Sequence, residues 1–283
     1  MNATVKSLHV YPVKGLKGID LAEASATERG LEHDRRWMVV DAQGEFFTQR
    51  SHPKMATVWT DLLPGALELS APDAGSIQVP LAPPPAPSMR VRVWNSVVDA
   101  VPASREADAF LSDYLETPCR MVYMPDSTRR ASNPDYSGGR EHLVSFADGY
   151  AYLIASTSSL ADLNRRLAER GHPALPMNRF RPNVVVSGAP AYAEDGWGEI
   201  SVGDAVLGAA KPCGRCEVTT TDQSTGEVRG PEPLATLATY RNSDEFGIMF
   251  GLNLVTLRPG TIRVGNALSA SSRDGALALG RPG

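Results

Sequence analysis

The sequence predicts an α+β chain that is mainly β, because short extended segments dominate it and helices are few. Two similar segments, ISVGDAVL from Ile200 and IRVGNALS from Ile262, each place a Gly-Asp or Gly-Asn pair between residues that favour strands. This pattern is typical of a tight hairpin. A further run, Ser7 to Val13, alternates and is rich in β-formers. Hairpins spread along the chain predict a barrel or a strongly curved sheet.

Three segments predict helices. The longest, STSSLADLNRRLAERG, places leucines on one face, carries a Ser159-x-x-Asp162 capping pattern and ends at Gly171. The second, EADAFLSDYLETP, pairs aromatic and leucine side chains at helical spacing and ends before Pro118. A shorter helix is predicted from Pro233 to Tyr240.

Composition excludes several classes of protein. The chain has 283 residues, 42% of them hydrophobic and 21% charged, which is typical of a globular protein with a sizeable core. A formal net charge of -4 argues against a general nucleic-acid binder. The first residues, MNATVKSLHVYPVKG, lack the pattern of a signal peptide, and no apolar run approaches the length of a membrane span. Three cysteines do not make a disulfide scaffold, so we expect a cytoplasmic protein without a membrane partner.

A polar stretch, PDSTRRASNPDYSGGREH, separates the β-rich first part of the chain from the rest. This stretch, Pro125 to His142, is the best candidate for a linker or lid. We therefore predict a first domain over residues 1–124 and a second over residues 125–271. The remaining residues, 272–283, are predicted to form a tail that frays.

The segment KPCGRCEVTTTDQSTGE holds two of the three cysteines, Cys213 and Cys216. A structural zinc site needs four ligands, and the other candidates are Cys119 and five histidines without regular spacing. An iron–sulfur cluster needs four cysteines. A redox dithiol favours a helix N-terminus, whereas the residues after Cys216 predict a strand with Cys216, Val218 and Thr220 on one face. Two buried cysteines that only pack remain a simple alternative.

Another interpretation needs only one cysteine. A single thiolate can complete the coordination of a soft metal whose other ligands come from an organic cofactor. Such a site also needs cationic or amide anchors if the cofactor is anionic. The polar residues around the pair are compatible with this arrangement.

The wider segment KPCGRCEVTTTDQSTGEVRGPEPLATLATYR resembles the signature of MOSC-domain proteins, the molybdenum-cofactor family. The pattern is similar to that of the mitochondrial amidoxime-reducing component and of bacterial N-hydroxylated-base reductases. Ordered matches extend over nearly the whole chain, which makes the resemblance more specific than any single motif. They are YPVKGLKG at Tyr11, LEHDRRWMVVD at Leu31, SLADLNRRL at Ser159, NRFRPNVVVSG at Asn178 and YAEDGWGEISVGD at Tyr192.

The resemblance implies a β-rich N-terminal MOSC-associated domain followed by a β-barrel MOSC domain. It also implies a molybdenum ion held by a pyranopterin and by one protein thiolate, whose position matches Cys216 and not Cys213. The pterin carries a terminal phosphate, which calls for cations and amides. The anchoring positions of the family match Lys14, Arg35, Arg181 and Asn183.

The family's reaction is a two-electron reduction that removes oxygen from N-hydroxylated compounds such as amidoximes, hydroxylamines and N-hydroxylated bases. Asp222 lies near Cys216 and could orient a water molecule or relay a proton, although aspartate before Gln-Ser-Thr-Gly is also a common turn former. Since no flavin, haem or iron–sulfur motif is recognisable, we expect a separate electron-transfer protein, of the ferredoxin, flavodoxin or flavin-reductase type.

Two other functions are compatible with the resemblance. One is a sulfur carrier whose cysteine bears a persulfide, as in the C-terminal domain of molybdenum-cofactor sulfurases. The other is a carrier that binds the cofactor and hands it on without catalysis. The sequence also departs from the eukaryotic members, since positions at which they carry hydroxyl side chains match Gly15, Gly149 and Tyr150. The phosphate pocket must therefore differ in detail.

Overall fold

The computed structural model describes residues 3–273 and confirms a chain that is mainly β. Over these residues the helices are α1 (Arg105–Leu115), α2 (Thr157–Glu169) and α3 (Leu234–Ala238). In chain order the strands are β1 (Ala3–Val10), β2 (Ile19–Leu21), β3 (Glu23–Thr27), β4 (Gly30–Leu31), β5 (Trp37–Val40), β6 (Trp59–Leu63), β7 (Ala66–Ala71), β8 (Gly75–Pro80), β9 (Met89–Val93), β10 (Ser96–Pro102), β11 (Arg120–Tyr123), β12 (Tyr152–Ser156), β13 (Val184–Ser187), β14 (Trp197–Val202), β15 (Ala205–Gly214), β16 (Asn242–Ser243), β17 (Gly247–Arg258), β18 (Gly260–Arg263) and β19 (Ala267–Ser272).

Seven strands close a barrel in the order β12, β13, β1, β19, β14, β15 and β17. The barrel closes because β17 pairs with β15 on one side and with β12 on the other. Its interior is filled by buried apolar side chains, among them Leu8, Ile154, Val184, Ile200 and Leu254. The barrel includes β1, so the first strand of the chain pairs with strands from its last third.

The remaining sheets belong mainly to the first half of the chain. One has the order β5-β11-β10-β9, and another has the order β6-β7-β8. Together with α1 they surround a second core that includes Trp37, Leu67, Leu111 and Met121. The predicted division at residue 124 stays a prediction. Of the strands before that residue, β1 pairs within the barrel, whereas β5 to β11 pair in separate sheets.

The predicted helices all form, with small differences at their ends. The helix α1 begins after Ser104, whose hydroxyl accepts the backbone N–H of Ala107. The helix α2 is capped by Ser156, whose side chain accepts the N–H of Ser159. The prediction that Ser159 caps this helix was therefore wrong by one turn, because Ser156 ends β12 in an extended conformation and reaches the free N–H groups first.

One of the two predicted hairpins forms and the other does not. The strands β14 and β15 pair through Val202 and Ala205, which confirms the first. After β18 the turn is tight, but β18 pairs with β3 whereas β19 pairs with β1 and β14. The N–H of Val264 donates to Ala22 and that of Gly265 donates to Val5. The turn residues therefore bind two different sheets, which separates the strands on either side.

The segment predicted to be a linker or lid is held to the protein. Arg130 within it is buried, and its guanidinium donates to the carbonyl oxygens of Ser145, Ala147 and Asp148. In the predicted tail, Ser272 ends β19 and the N–H of Arg273 donates to a carbonyl, while residues 274–283 lie outside the described residues. No helix in residues 3–273 is long and apolar enough to cross a membrane.

Candidate active site

A cavity lies on the outer face of the barrel wall, where the barrel meets the first half of the chain. Leu153 in β12 and Asn253 in β17 are cross-strand partners that line it. Their strand neighbours Ile154 and Leu254 belong to the barrel core, so the alternation of side chains places Leu153 and Asn253 on the outside. Phe46, from the first half of the chain, lines the cavity as well.

Basic side chains dominate the charged lining of this cavity. Cations gathered in a cleft with low-dielectric walls attract anions. The cavity therefore suits an anionic ligand, and it contains every cation that the sequence resemblance singled out. Among the described residues its lining includes one carboxylate, that of Asp148, and five cations: Lys14, Arg35, Arg50, Arg181 and Arg215.

Lys14 lies in the bend after β1, and its ammonium group is almost fully enclosed. The Nζ atom donates to the carbonyl oxygen of Phe146 at 3.0 Å and to the carboxylate of Asp148. It also stands 5.3 Å from the ring centroid of Phe46 and 5.9 Å from that of Trp94. Burial lowers the pKa of Lys14, and the charge of Asp148 opposes this shift.

Arg35 and Asn183 meet although 148 residues separate them. Arg35 Nη1 donates to Asn183 Oδ1 at 2.9 Å and to the buried carboxylate of Asp34. Burial raises the pKa of Asp34, whereas the charge of Arg35 opposes the shift. Asn183 is fixed in turn, because its backbone N–H donates to the carbonyl of Leu153 at 2.8 Å. The position of the arginine thus depends on the barrel.

Arg181 and Arg35 contact the same aromatic ring, that of Tyr11. The guanidinium carbons of both arginines lie 4.3 Å from the ring centroid of Tyr11, which suits cation–π contacts. Arg181 also donates to the carbonyl of Leu16 at 2.6 Å and to Gln223 Oε1 at 3.2 Å. Burial lowers the pKa of Arg181 to about 10. Burial raises the pKa of Tyr11 to about 12, against the charges of the two arginines.

Cys213 and Cys216 both line the cavity, but their surroundings differ. The Sγ atom of Cys213 accepts a hydrogen bond from Arg215 Nη1 at 2.8 Å. The same guanidinium donates through Nη2 to the carbonyl of Phe180 at 2.9 Å. Among the described residues no hydrogen bond involves the sulfur of Cys216. Of the two cysteines that line the cavity, Cys216 is therefore the one whose sulfur has no hydrogen-bond partner among the described residues.

The segment after Cys216 is not the predicted strand. Residues Glu217–Thr220 form a 3-10 helix, and Cys216 is the residue before it. The carbonyl of Cys216 accepts both the N–H and the hydroxyl of Thr219, and the hydroxyl of Thr220 donates to the carbonyl of Glu217. The threonine hydroxyls thus donate to backbone carbonyls of the same segment and compete with strand pairing. The alternation of residue types in the sequence did not reveal this competition.

Asp222 is the one predicted site residue that the structure does not bring to the cavity lining. Its carboxylate accepts the N–H and the hydroxyl of Ser224, and it accepts Arg179 Nη2 at 3.2 Å. Its backbone closes a turn with Glu227 and Gly226. The hydrogen bonds of Ser224, followed by the charge of Arg179, lower the pKa of Asp222. The turn role is thus visible in the structure, and the catalytic role stays a prediction.

Sequence reasoning missed the residues that hold the site together. Arg179 is buried and donates to the carbonyls of Thr219 and Thr220 as well as to Asp222. Gln49 and Gln223 donate to each other's side-chain oxygens at 3.1 and 2.8 Å, 174 residues apart. The only available signal for Arg179 was its place two residues before Arg181 in NRFRPN. Nothing local marks Gln49.

Comparison with known proteins agrees with this geometry. Residues 2–118 match the MOSC N-terminal beta barrel domain, and residues 141–269 match the MOSC domain. The chain is 34% identical over 278 residues to mitochondrial amidoxime-reducing component 1 of Mus musculus, covering 93% of this chain and 81% of that one. The corresponding Homo sapiens protein is 32% identical over 279 residues, with the same coverage of both chains. The chain belongs to the MOSC-domain family.

A relative with a different name covers much of the same MOSC region. The molybdenum cofactor sulfurase of Solanum lycopersicum is 32% identical over 266 residues, which cover 88% of this chain and 32% of the plant protein. Both kinds of relative support a MOSC function related to the molybdenum cofactor.

The residues of this MOSC protein fit the cofactor that the family implies. One unpartnered sulfur, three enclosed cations and an amide share a single cavity. The Nε atom of Arg215, in the same lining, is buried without a hydrogen-bond partner among the described residues. A buried donor without a protein partner needs an acceptor such as a water molecule or a bound ligand. Among the described residues no group of three His, Cys, Asp or Glu side chains could hold a metal.

Two glycines that the sequence resemblance matches to hydroxyl positions of eukaryotic members, Gly15 and Gly149, line the cavity. Gly15 has a left-handed φ of 85°, and a Cβ atom there would lie 2.7 Å from the terminal carbon of Met55. A Cβ atom on Gly149 would meet nothing within 4 Å. At Gly15 the backbone therefore favours glycine, whereas at Gly149 it does not.

Proposed function

We propose that this chain is a molybdenum-cofactor oxidoreductase that reduces N-hydroxylated compounds such as amidoximes, hydroxylamines and N-hydroxylated bases. The observation that carries the proposal is the convergence of Cys216, Lys14, Arg35, Arg181 and Asn183 on one cavity, although they come from four distant segments. The names of the mouse and human relatives supply the substrate class.

Each residue has a role that follows from its surroundings. Cys216 would supply the protein thiolate to the metal, because its sulfur is the one without a protein partner. Lys14, Arg35 and Arg181 would bind the anionic end of the pterin, and Asn183 would fix Arg35. When bound, the cofactor supplies a metal centre that exchanges two electrons and removes oxygen from the substrate.

Water exclusion and proton supply are tasks of the protein. The aromatic rings of Phe46 and Trp94 lie beside the cavity and shield the ammonium of Lys14 from solvent. Asp222 lies in the same loop as Cys216, and Arg179 holds its carboxylate. Because Asp222 does not line the cavity, a proton relay from it would have to pass through water. We propose that relay as its role, together with its role in the turn.

Electrons would come from a separate protein of the ferredoxin, flavodoxin or flavin-reductase type. The motivation is that the sequence contains no recognisable flavin, haem or iron–sulfur motif. We propose a cytoplasmic location on the sequence argument alone. The two carrier functions named above are the alternatives, and the plant sulfurase relative favours the sulfur carrier over the cofactor carrier.

The experiment that tests this function measures metal and turnover together. The full chain is made in a host that synthesises the cofactor, and its molybdenum, zinc and pterin contents are determined by mass spectrometry. Reduction of an amidoxime is then followed with a reduced viologen dye as electron donor. We expect one molybdenum and one pterin per chain and turnover with the dye, but not with NADH alone.

Other results would identify another function. Molybdenum without turnover indicates a cofactor carrier, and a persulfide on Cys216 without molybdenum indicates a sulfur carrier. One zinc per chain without pterin would contradict every function related to the cofactor. Turnover with NADH as the only donor would remove the need for an electron-transfer partner.

A further inference from the structure

Lys14 has a protein anion as its partner inside the cavity. Its Nζ atom donates to Asp148 Oδ1, and the indole N–H of Trp94 donates to the same oxygen at 3.0 Å. The two partners of the ion pair are enclosed to very different degrees. The side chain of Lys14 is 10% exposed, and that of Asp148 is 71% exposed. The ammonium is thus fixed in place, while the carboxylate lies at the side that is open to solvent.

The backbone of Asp148 is held more firmly than its carboxylate. Its carbonyl oxygen accepts Arg130 Nη2 at 2.9 Å, and Arg130 also binds the carbonyls of Ser145 and Ala147. Arg130 is buried, and burial lowers its pKa to about 10, so it remains charged at neutral pH. The carboxylate can therefore leave Lys14 by rotation of the side chain while the loop stays where it is.

Trp94 connects this ion pair to the edge of the cavity. It occupies the turn between β9 and β10 with a left-handed φ of 54°, and it is 38% exposed. Its ring meets that of Phe46 edge to face at 5.1 Å, and the guanidinium of Arg50 lies 4.7 Å from its centroid. Loss of the carboxylate of Asp148 would remove the acceptor of its N–H group. The environment of this indole therefore reports the state of the ion pair.

We propose that Asp148 is an internal counter-ion which a phosphate monoester displaces from Lys14, and that this exchange makes the cavity select dianions over carboxylates. The inference rests on the proposed function, in which the pterin phosphate is the ligand. A free carboxylate that replaced the carboxylate of Asp148 would form the same kind of ion pair with Lys14, so the exchange would gain no binding free energy. A phosphate carries a charge of about −1.5 to −2 and three acceptor oxygens. It can therefore bind Lys14 and a neighbouring arginine together, and it outcompetes Asp148.

The exchange is tested on the full chain, made in a host that cannot synthesise the pterin. Inorganic phosphate and acetate are added separately at matched ionic strength, and the thermal midpoint and the tryptophan emission are recorded. For the wild type we expect phosphate to raise the midpoint and change the emission, and acetate to do neither. The Trp94→Phe variant should lose the change in emission and keep the rise in midpoint, which assigns the signal to this indole.

The Asp148→Ala variant separates displacement from a simple change of charge. We expect it to bind phosphate about two- to fivefold more tightly, as suits the loss of a partly exposed ion pair. It should also bind acetate, and its emission should no longer respond to phosphate. Asp126→Ala is the matched control, because it removes an exposed carboxylate that pairs with Arg36 and does not line the cavity. This control should behave like the wild type.

Three results would overturn the proposal: no response of the wild type to phosphate, binding of phosphate without any change in Trp94 emission, or unchanged discrimination against acetate in Asp148→Ala. Failure of this proposal and failure of the proposed function give different results. If the chain never acquires molybdenum but responds to phosphate as expected, the counter-ion role of Asp148 is supported and the reductase function is contradicted. If the chain acquires the cofactor and turns over substrate, but its cofactor-free form does not respond to phosphate, the reductase function is supported and the counter-ion role is contradicted.

Discussion

Two sides of the cavity are built in different ways. The cation wall consists of Lys14, Arg35 and Arg181, which come from three distant segments and are fixed by long-range bonds. The thiol loop, residues 213–223, is one continuous segment folded largely by its own hydrogen bonds. Its threonine hydroxyls and the turn at Asp222 supply those bonds. Arg179 then attaches the loop to the barrel.

This difference predicts which substitutions disturb each side of the site. Changes anywhere in the two halves of the chain can displace the cation wall, because its geometry depends on how they pack. The thiol loop combines its own hydrogen bonds with bonds to distant segments, and it joins the wall through the bonds of Gln223 to Arg181 and Gln49. Substitutions on each side should therefore fail in distinguishable ways.

The largest expected effect separates the two cysteines of the thiol loop. Cys216→Ala removes the thiolate that the proposed function assigns to the metal, and we expect turnover to be lost while some pterin remains bound by the cation wall. Cys213→Ser keeps an acceptor for Arg215, and we expect most of the turnover to survive. Amidoxime reduction with a chemical donor and molybdenum content are measured for both. Equal loss in the two variants would mean that the cysteines act as a unit.

A second large effect is expected in the cation wall. Arg181→Ala removes a charged donor, and hydrogen bonds to charged groups contribute about 1.5–3 kcal/mol each. We therefore expect pterin retention after gel filtration to fall by about one to two orders of magnitude. Gln223→Ala is the control, because it breaks the connection to the thiol loop without removing a charge. If both variants lose pterin equally, the connection matters and the charge does not.

A smaller effect is expected from restoring the eukaryotic hydroxyls. Gly15→Ser forces a Cβ atom into a left-handed conformation beside Met55, at a cost of about 1–2 kcal/mol. Gly149→Ser places its side chain in open space and should leave the free energy of unfolding in urea within about 0.5 kcal/mol of the wild type. A neutral Gly15→Ser variant would show that the backbone of the cation wall can adjust.

The smallest effect is a difference in acid sensitivity between Asp148 beside the cation wall and Asp222 in the thiol loop. Partial burial acts to raise the pKa of Asp148, but the charge and hydrogen bond of Lys14 and the indole of Trp94 outweigh it and hold that pKa below its usual range. The pKa of Asp222 is lowered mainly by Ser224. A lowered carboxyl pKa stabilises the fold above the unfolded value of about 3.9, and this contribution is lost as the pH falls through the folded value.

Unfolding in urea from pH 6 to pH 3 measures this contribution. Both Asp148→Asn and Asp222→Asn should flatten the loss of stability on acidification. We expect the larger flattening for Asp148→Asn, although solvent screening of this exposed carboxylate keeps it small. Identical slopes for the wild type and both variants would show that neither ion pair contributes to folding.

The sequence by itself determined the mainly β class, the three helices and the hairpin of β14 and β15, because strand propensity, helical spacing and a Gly-Asp turn are local properties. It also determined the family, and through the family five residues that line the cavity: Lys14, Arg35, Arg181, Asn183 and Cys216. Gly171 and Pro118 marked helix ends for the same local reason.

Only the tertiary structure decided how the barrel closes and what surrounds the site. The strand after Gly265 leaves its predicted partner because Val5 and Ala22, far away in the chain, bind the turn. The cysteine segment winds into a 3-10 helix, since threonine hydroxyls satisfy its backbone. Asp148 and Lys14 are 134 positions apart in the chain, so only the folded structure makes them partners. Hydrogen bonds and ion pairs between distant segments leave no periodic trace in a single sequence, so folding alone reveals them.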